Sequence, residues 1–131
     1  MVLPAPDKCG YSREERLDGA YRNSRVCKMI ADQGIDVVCC TISMYDEVRA
    51  WNREHMENYK EIYLEVPIEV LIKRDQKGLY TKVQNGSVKD VVGMDLNLEF
   101  PKQPDFKIVN DGSLSPEEVV SRIVESEMEE A

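Results

Sequence analysis

The chain has one histidine in 131 residues, and its four cysteines (Cys9, Cys27, Cys39, Cys40) show no paired metal-ligand spacing. Cys39 and Cys40 are adjacent in a β-branched run, so their side chains point to opposite faces and do not easily share a ligand. No metal ligand is assigned on this pattern, and buried reduced thiols fit a cytoplasmic protein. His55 has no Ser or Cys partner at a recognisable spacing and reads as a solvated helix residue. A basic surplus is also missing: 17 Lys and Arg against 25 Asp and Glu give a net charge of −8. That balance argues against nucleic acid or an anionic membrane as partner, since both need a basic surface. Much of the negative charge sits near the C-terminus (Glu117, Glu118, Glu125, Glu127, Glu129, Glu130) and need not describe a pocket. No apolar run approaches the ~18 residues of a membrane span, and the start lacks the charged-then-apolar pattern of a secretion signal.

What is present suits one globular domain, with 42% hydrophobic and 32% charged residues. Residues 1–10 read as an irregular lead-in, because Pro4 and Pro6 have no backbone donor. Residues 11–131 then read as a single α/β domain. Ser12 with Glu15 forms a capping box, and Leu17, Ala20, Tyr21, Ser24, Cys27, Ile30 and Ala31 follow a helical period up to a stop at Gly34. Residues 35–42 are β-branched and almost continuously apolar, which suits a parallel strand covered on both faces. A helix over 46–56, a strand over 61–66 and a short helix from Pro67 to about Asp75 follow. Residues 76–105 carry little periodicity, and stretches of this kind are functional or disordered. Phe106 begins a third strand, and Ser115-Pro116-Glu117-Glu118 caps a final helix with Val119, Val120, Ile123, Val124 and Met128 as its apolar stripe. Alternating strands and helices predict an open, three-layer α/β fold around a parallel sheet.

Arg74-Asp75 followed by Lys77-Gly78-Leu79-Tyr80 resembles the lid entrance of the adenylylsulfate kinases. Gly10-Tyr11-Ser12, Glu15-Arg16, Asp32-Gln33-Gly34-Ile35, Thr41-Ile42-Ser43-Met44, and Gly93-Met94-Asp95 with Glu99, Pro101 and Pro104 resemble that family in the same order. The family has the P-loop-kinase fold and transfers a phosphoryl group from ATP, with Mg²⁺, to a ribose hydroxyl of adenylyl sulfate in sulfate assimilation. The resemblance places the lid at residues 76–105.

By that resemblance, Tyr11 stacks on the substrate's base; alternatively it staples the helix start to the core. Arg16 faces the anionic part of the substrate, where a planar fork of donors suits oxyanions. Ile42 and Ser43 end a strand at the carboxyl edge of the sheet, where α/β proteins bind ligands. Lys77 and Leu79 begin the lid on the substrate side, Asp95 holds the lid in register, and Arg74 lies against the adenine of ATP.

The family's Gly-rich loop ending in Gly-Lys-Ser/Thr, the Walker A motif, does not occur in this sequence. The resemblance therefore implies a truncated fold in which the first strand, the phosphate loop and the second strand are missing, and no catalytic residue is assigned. In the family the missing strand is central, so residues 35–42 and 61–66 either pair directly or leave exposed edges. The chain alone is expected to be inactive and to bind ATP and Mg²⁺ weakly.

Gly19 stands where the family has Asn, and Asn97-Leu98 stands where it has Pro-Tyr. Thr41-Ile42-Ser43-Met44-Tyr45 and Trp51-Asn52-Arg53-Glu54 look more like related kinases of surface-polysaccharide pathways that phosphorylate cytidine diphosphoramidate. A small nucleotide substrate is the expected partner in either case. A non-catalytic remnant, or a module that dimerises through exposed strand edges, is the alternative of another class.

Overall fold

The computed structural model describes residues 12–42, 45–74 and 98–130. Tyr11, Ser43, Lys77, Leu79 and Asp95 lie outside those residues, as do the N-terminal lead-in and most of the expected lid. Among the described residues there are four helices and two strands: α1 (Arg13–Ala31), α2 (Asp46–His55), β1 (Ile62–Glu65), α3 (Ile68–Arg74), β2 (Phe106–Val109) and α4 (Pro116–Glu130). They fall into two compact units. The first holds described residues 12–42, 45–59 and 98–100, and the second holds 60–74 and 101–130.

In the first unit α1 starts where its sequence signals a start. Ser12 Oγ accepts the Glu15 amide at 3.3 Å, and the Glu15 carboxylate accepts the Ser12 amide at 3.1 Å. The helix ends as the Gly34 amide donates to Ala31 at 2.8 Å, with Gly34 at φ +77°, a conformation that suits glycine. The face predicted from periodicity is the buried one: Ala20 is 4% exposed, Ser24 is buried, and Leu17 and Tyr21 pack on the cluster formed by Ala20, Tyr45 and Val48. Tyr45, just before α2, is itself a core residue at 6% exposure.

Residues 35–42 differ from expectation. They form no strand among the described residues, and every side chain in the segment is exposed, Val38 at 90%. A strand buried on both faces needs neighbours for its backbone ladder and layers above and below. Cys39 of the segment lies beside Cys27 of α1.

The second unit is built on β1 and β2, which pair in parallel with Ile62 opposite Phe106 and Glu65 opposite Val109. Tyr63 and Ile108 are both buried, on opposite faces of the ladder, since Tyr63 is level with Lys107 and Ile108 with Leu64. Lys107 lies over the Tyr63 ring at 5.6 Å and pairs with Glu65 at 3.0 Å, on the face that Tyr63 occupies. The Pro67 carbonyl accepts the Val70 and Leu71 amides and so opens α3. α4 carries its predicted capping box, with Ser115 and Glu118 bonded reciprocally at 2.7 and 3.2 Å. Its apolar stripe divides: Val119 and Ile123 are half-buried, whereas Val120, Val124 and Met128 face solvent.

Candidate functional site

Two clusters of chemistry-bearing side chains stand out, one in each unit. The first is organised by Glu99. α2 begins at Tyr45, whose side chain cannot cap a helix and makes no such bond. The Glu99 carboxylate supplies the cap instead, accepting the Asp46 amide at 3.0 Å. A carboxylate at this end also complements the helix dipole. Arg13 approaches the same carboxylate at 3.6 Å and lies over the Tyr45 ring at 5.4 Å. Arg49, one turn into α2, binds both the Asp46 carboxylate and the Glu99 main-chain carbonyl. Its side chain is 12% exposed, so these charge-assisted bonds act in a low-dielectric setting. Arg16 is half-buried on the turn of α1 that follows Arg13, and its amide continues the helix from the Ser12 carbonyl at 3.0 Å.

Beside this cluster the two helices are joined by aromatic contacts. The Tyr21 hydroxyl donates to Glu47 at 3.3 Å, and its ring meets Trp51 edge-on at 6.4 Å. Burial, then the Glu47 charge, pushes the Tyr21 hydroxyl above its usual range. Trp51 stacks in turn on His55 at 4.4 Å, and His55 Nδ1 lies 2.9 Å from the Trp51 carbonyl. The histidine thus has a packing role on an exposed helix end. Asn52 Oδ1 is buried and meets no donor among the described residues. Cys27 is half-buried, and burial with its bond to Cys39 pushes its thiol up to about 11.

The second cluster sits after β2. Arg74 ends α3 and reaches the turn at Asp111 and Gly112; a Cβ at Gly112 would lie 2.9 Å from its guanidinium. Gly112 has φ +96°, so both the backbone conformation and the close approach require glycine. Asp111 accepts the Ser113 amide at 2.9 Å, and its bonds to Ser113, with Arg74 nearby, hold its carboxyl below the ordinary value of 3.8. This places Arg74 beside the carboxyl end of a parallel strand. A separate shallow groove of about 360 Å³ lies between β2 and α4, lined by Phe106, Lys107, Ile108, Arg122, Glu125 and Ser126 among others, and contains none of the residues assigned from sequence.

Of the eight positions assigned from sequence, the described residues thus contain Arg16 and Ile42 in the first unit and Arg74 in the second. Ile42 is 64% exposed at the end of the segment that follows α1. The Glu99 clasp has no signal at short range, because its partners are 50 or more residues away. A helix start without a capping side chain, at Tyr45-Asp46, is the trace it leaves in the sequence.

A short parallel sheet with helices following its strands defines an α/β protein. The structure of the Mycobacterium tuberculosis APS kinase in complex with AMPPNP and APS superimposes with a TM-score of 0.80 at 28% identity, over 89% of this chain and 69% of that one. Residues 6–109 match the adenylylsulphate kinase family, and the chain belongs to that family. The cytidine diphosphoramidate kinase of Campylobacter jejuni is 41% identical over 87% of this chain and 66% of its own length. The adenylyl-sulfate kinase of Clostridium acetobutylicum is 37% identical over 76% of this chain and 50% of its own. The chain spans about half to two thirds of the length of these curated relatives. Among the described residues no helix is long and apolar enough to cross a membrane.

Proposed function

We propose that this chain is the acceptor-holding portion of a nucleotide kinase that moves the γ-phosphoryl group of ATP to a ribose hydroxyl of a nucleotidyl substrate. The observation that carries the reading is the family match over residues 6–109, joined to a fold match that includes an APS kinase. In this reading Arg16 meets the substrate's anionic group, and Tyr11 stacks on its base. Ile42, Ser43, Lys77, Leu79 and Asp95 complete the acceptor side. Arg74 lies against the base of the donor nucleotide.

Among the described residues no group of three His, Cys, Asp or Glu side chains is arranged to hold a metal ion. The sequence has no Gly-Lys-Ser/Thr phosphate loop. In this reading the binding of triphosphate and Mg²⁺ is assigned to no side chain of this chain. What the described residues supply is placement of the acceptor. The Glu99 clasp contributes by fixing the start of α2 against α1.

For the substrate, a cytidine diphosphoramidate-type nucleotide is favoured by the 41% identity to a kinase of that name, against 37% and 34% for adenylyl-sulfate kinases. Gly19 supports it, since the space around that position is open and the amide that adenylylsulfate kinases carry there is absent. Adenylyl sulfate, and with it sulfate assimilation, is the second reading, favoured by the structural match to an APS kinase. The test fuses this chain to the portion of the Campylobacter kinase that it does not match and measures ADP release with each acceptor. Turnover with the cytidylyl acceptor above the adenylyl one supports the first reading; the reverse order supports the second, and no transfer to either sinks both.

A further inference from the structure

α1 and the segment that follows it bring two thiols into contact. Cys27 stands on the face of α1 that also carries the buried Ala20 and Ser24, at spacings of one helical turn, and is itself half-buried. Beyond the turn at Gly34, neighbouring residues of the segment differ sharply in cover: Val37 is 37% exposed and Val38 is 90% exposed. Successive side chains there point to opposite sides, so Cys39 shares the better covered side with Val37, and Cys40 shares the open side with Val38. The contact agrees with that alternation, because it is Cys39 that is hydrogen-bonded to Cys27. Both are free thiols, and neither has a part in the proposed function.

We propose that Cys27 and Cys39 form a redox-active dithiol site, closed to an intramolecular disulfide by a low-molecular-weight disulfide such as glutathione disulfide. A disulfide needs sulfurs about 2.05 Å apart on side chains aimed at one another. Thiols already in hydrogen-bonding contact are aimed in that way. The exchange runs in two steps. Exposed Cys39 loses its proton to solvent and attacks one sulfur of glutathione disulfide; a Cys39–glutathione bond forms, the glutathione S–S bond breaks, and one glutathione leaves as thiolate. Cys27 then loses its proton, and its sulfur attacks that of Cys39. The Cys27–Cys39 bond forms as the second glutathione leaves. The two protein thiols give up two electrons, glutathione disulfide accepts them, and both leaving thiolates take up the released protons. Burial and the bond to Cys39 push the Cys27 thiol up to about 11, so Cys27 resolves the mixed disulfide and does not start the reaction.

Closure ties residues 35–42 to α1 by a covalent bond across the Gly34 turn. The proposal goes beyond the proposed function and does not depend on it. They meet at one point only, since the tethered segment ends at Ile42.

The test uses the full chain with Cys9→Ser, which removes a further thiol. The protein is equilibrated in a glutathione buffer, alkylated and digested, and the peptides are weighed. A linked Cys27–Cys39 peptide pair within one chain is expected, with Cys40 alkylated or carrying glutathione. Cys27→Ser should arrest the exchange after its first step, leaving glutathione on Cys39, and Cys39→Ser should abolish the link. The bond should be roughly tenfold or more favoured in the native chain over the chain in denaturing urea, because the fold holds the pair together. A stable glutathione adduct on Cys39 beside an unreacted Cys27 in the native chain overturns the proposal. So does a link to Cys40, or between two chains, as the main product. A Cys27–Cys39 bond no more favoured in the native chain than in urea also overturns it, since the fold then does not present the site. None of these outcomes bears on phosphoryl transfer, which the fusion measures separately.

Discussion

The carboxylate of Glu99 caps the helix that begins at Asp46, accepting its amide at 3.0 Å across 53 residues of sequence. One side chain thereby joins three pieces of chain, because Arg13 of α1 and Arg49 of α2 reach the same residue. Glu99→Ala removes the cap and the Arg13 ion pair, while Arg49 keeps the main-chain carbonyl and Asp46, and should destabilise the first unit by about 1–2 kcal/mol. Glu99→Gln keeps an acceptor for the Asp46 amide and should lose less. Thermal melts of the two variants test this, and equal melting of both with the parent would contradict it.

Acid should act on α1 and α4 through their capping boxes. Hydrogen bonds from Ser12 and Ser115 hold the Glu15 and Glu118 carboxyls below the ordinary value of 4.5. A carboxyl with a lowered folded pKa stabilises the fold above its unfolded value, and that contribution is lost as pH falls through the folded one. Helix content followed by circular dichroism should therefore fall as pH drops below about 4.5, the ordinary carboxyl value. Ser12→Ala combined with Ser115→Ala should lower stability at neutral pH by about 1 kcal/mol per cap and flatten the acid dependence.

Much of this was legible in the sequence, and the exceptions share a cause. The two capping boxes, the Gly34 stop and the helical face of Ala20 and Ser24 depend on neighbours within a turn or two, so local spacing carries them. Residues 35–42 have the composition of a buried strand, but a strand exists only with partners, and none is supplied among the described residues. α4 shows the same thing at half strength, since Val119 and Ile123 pack while Val120, Val124 and Met128 do not. Composition reports what a segment is suited to; partners decide whether that is realised. Of the candidate site, Arg16, Ile42 and Arg74 are seen and the clasp at Glu99 was found only in three dimensions.

The contrast between Val48 and Val38 gives a further check. Val48 is 4% exposed in the core of the first unit and Val38 is 90% exposed. Val48→Ala should cost about 2 kcal/mol, from two buried methyl groups and the cavity left behind. Val38→Ala should cost almost nothing in the chain alone. Urea midpoints with unchanged slopes for both variants would make the comparison clean.

Asn52 offers a substitution expected to help. Its Oδ1 is buried without a donor among the described residues, and an unsatisfied acceptor of that kind costs about 1–3 kcal/mol. Asn52→Leu, of similar volume, should leave stability unchanged or raise it by up to about 1 kcal/mol. A clear loss in a chemical melt would mean that the amide is bonded in solution.

The role given to Arg16 tests the account most directly. In the fusion with the unmatched portion of the Campylobacter kinase, Arg16→Ala should raise KM for the nucleotidyl acceptor about tenfold, the loss of one charge-assisted bond, with KM for ATP little changed. A rise in KM for ATP with the acceptor's KM unmoved would contradict it, since this chain would then be gripping the donor.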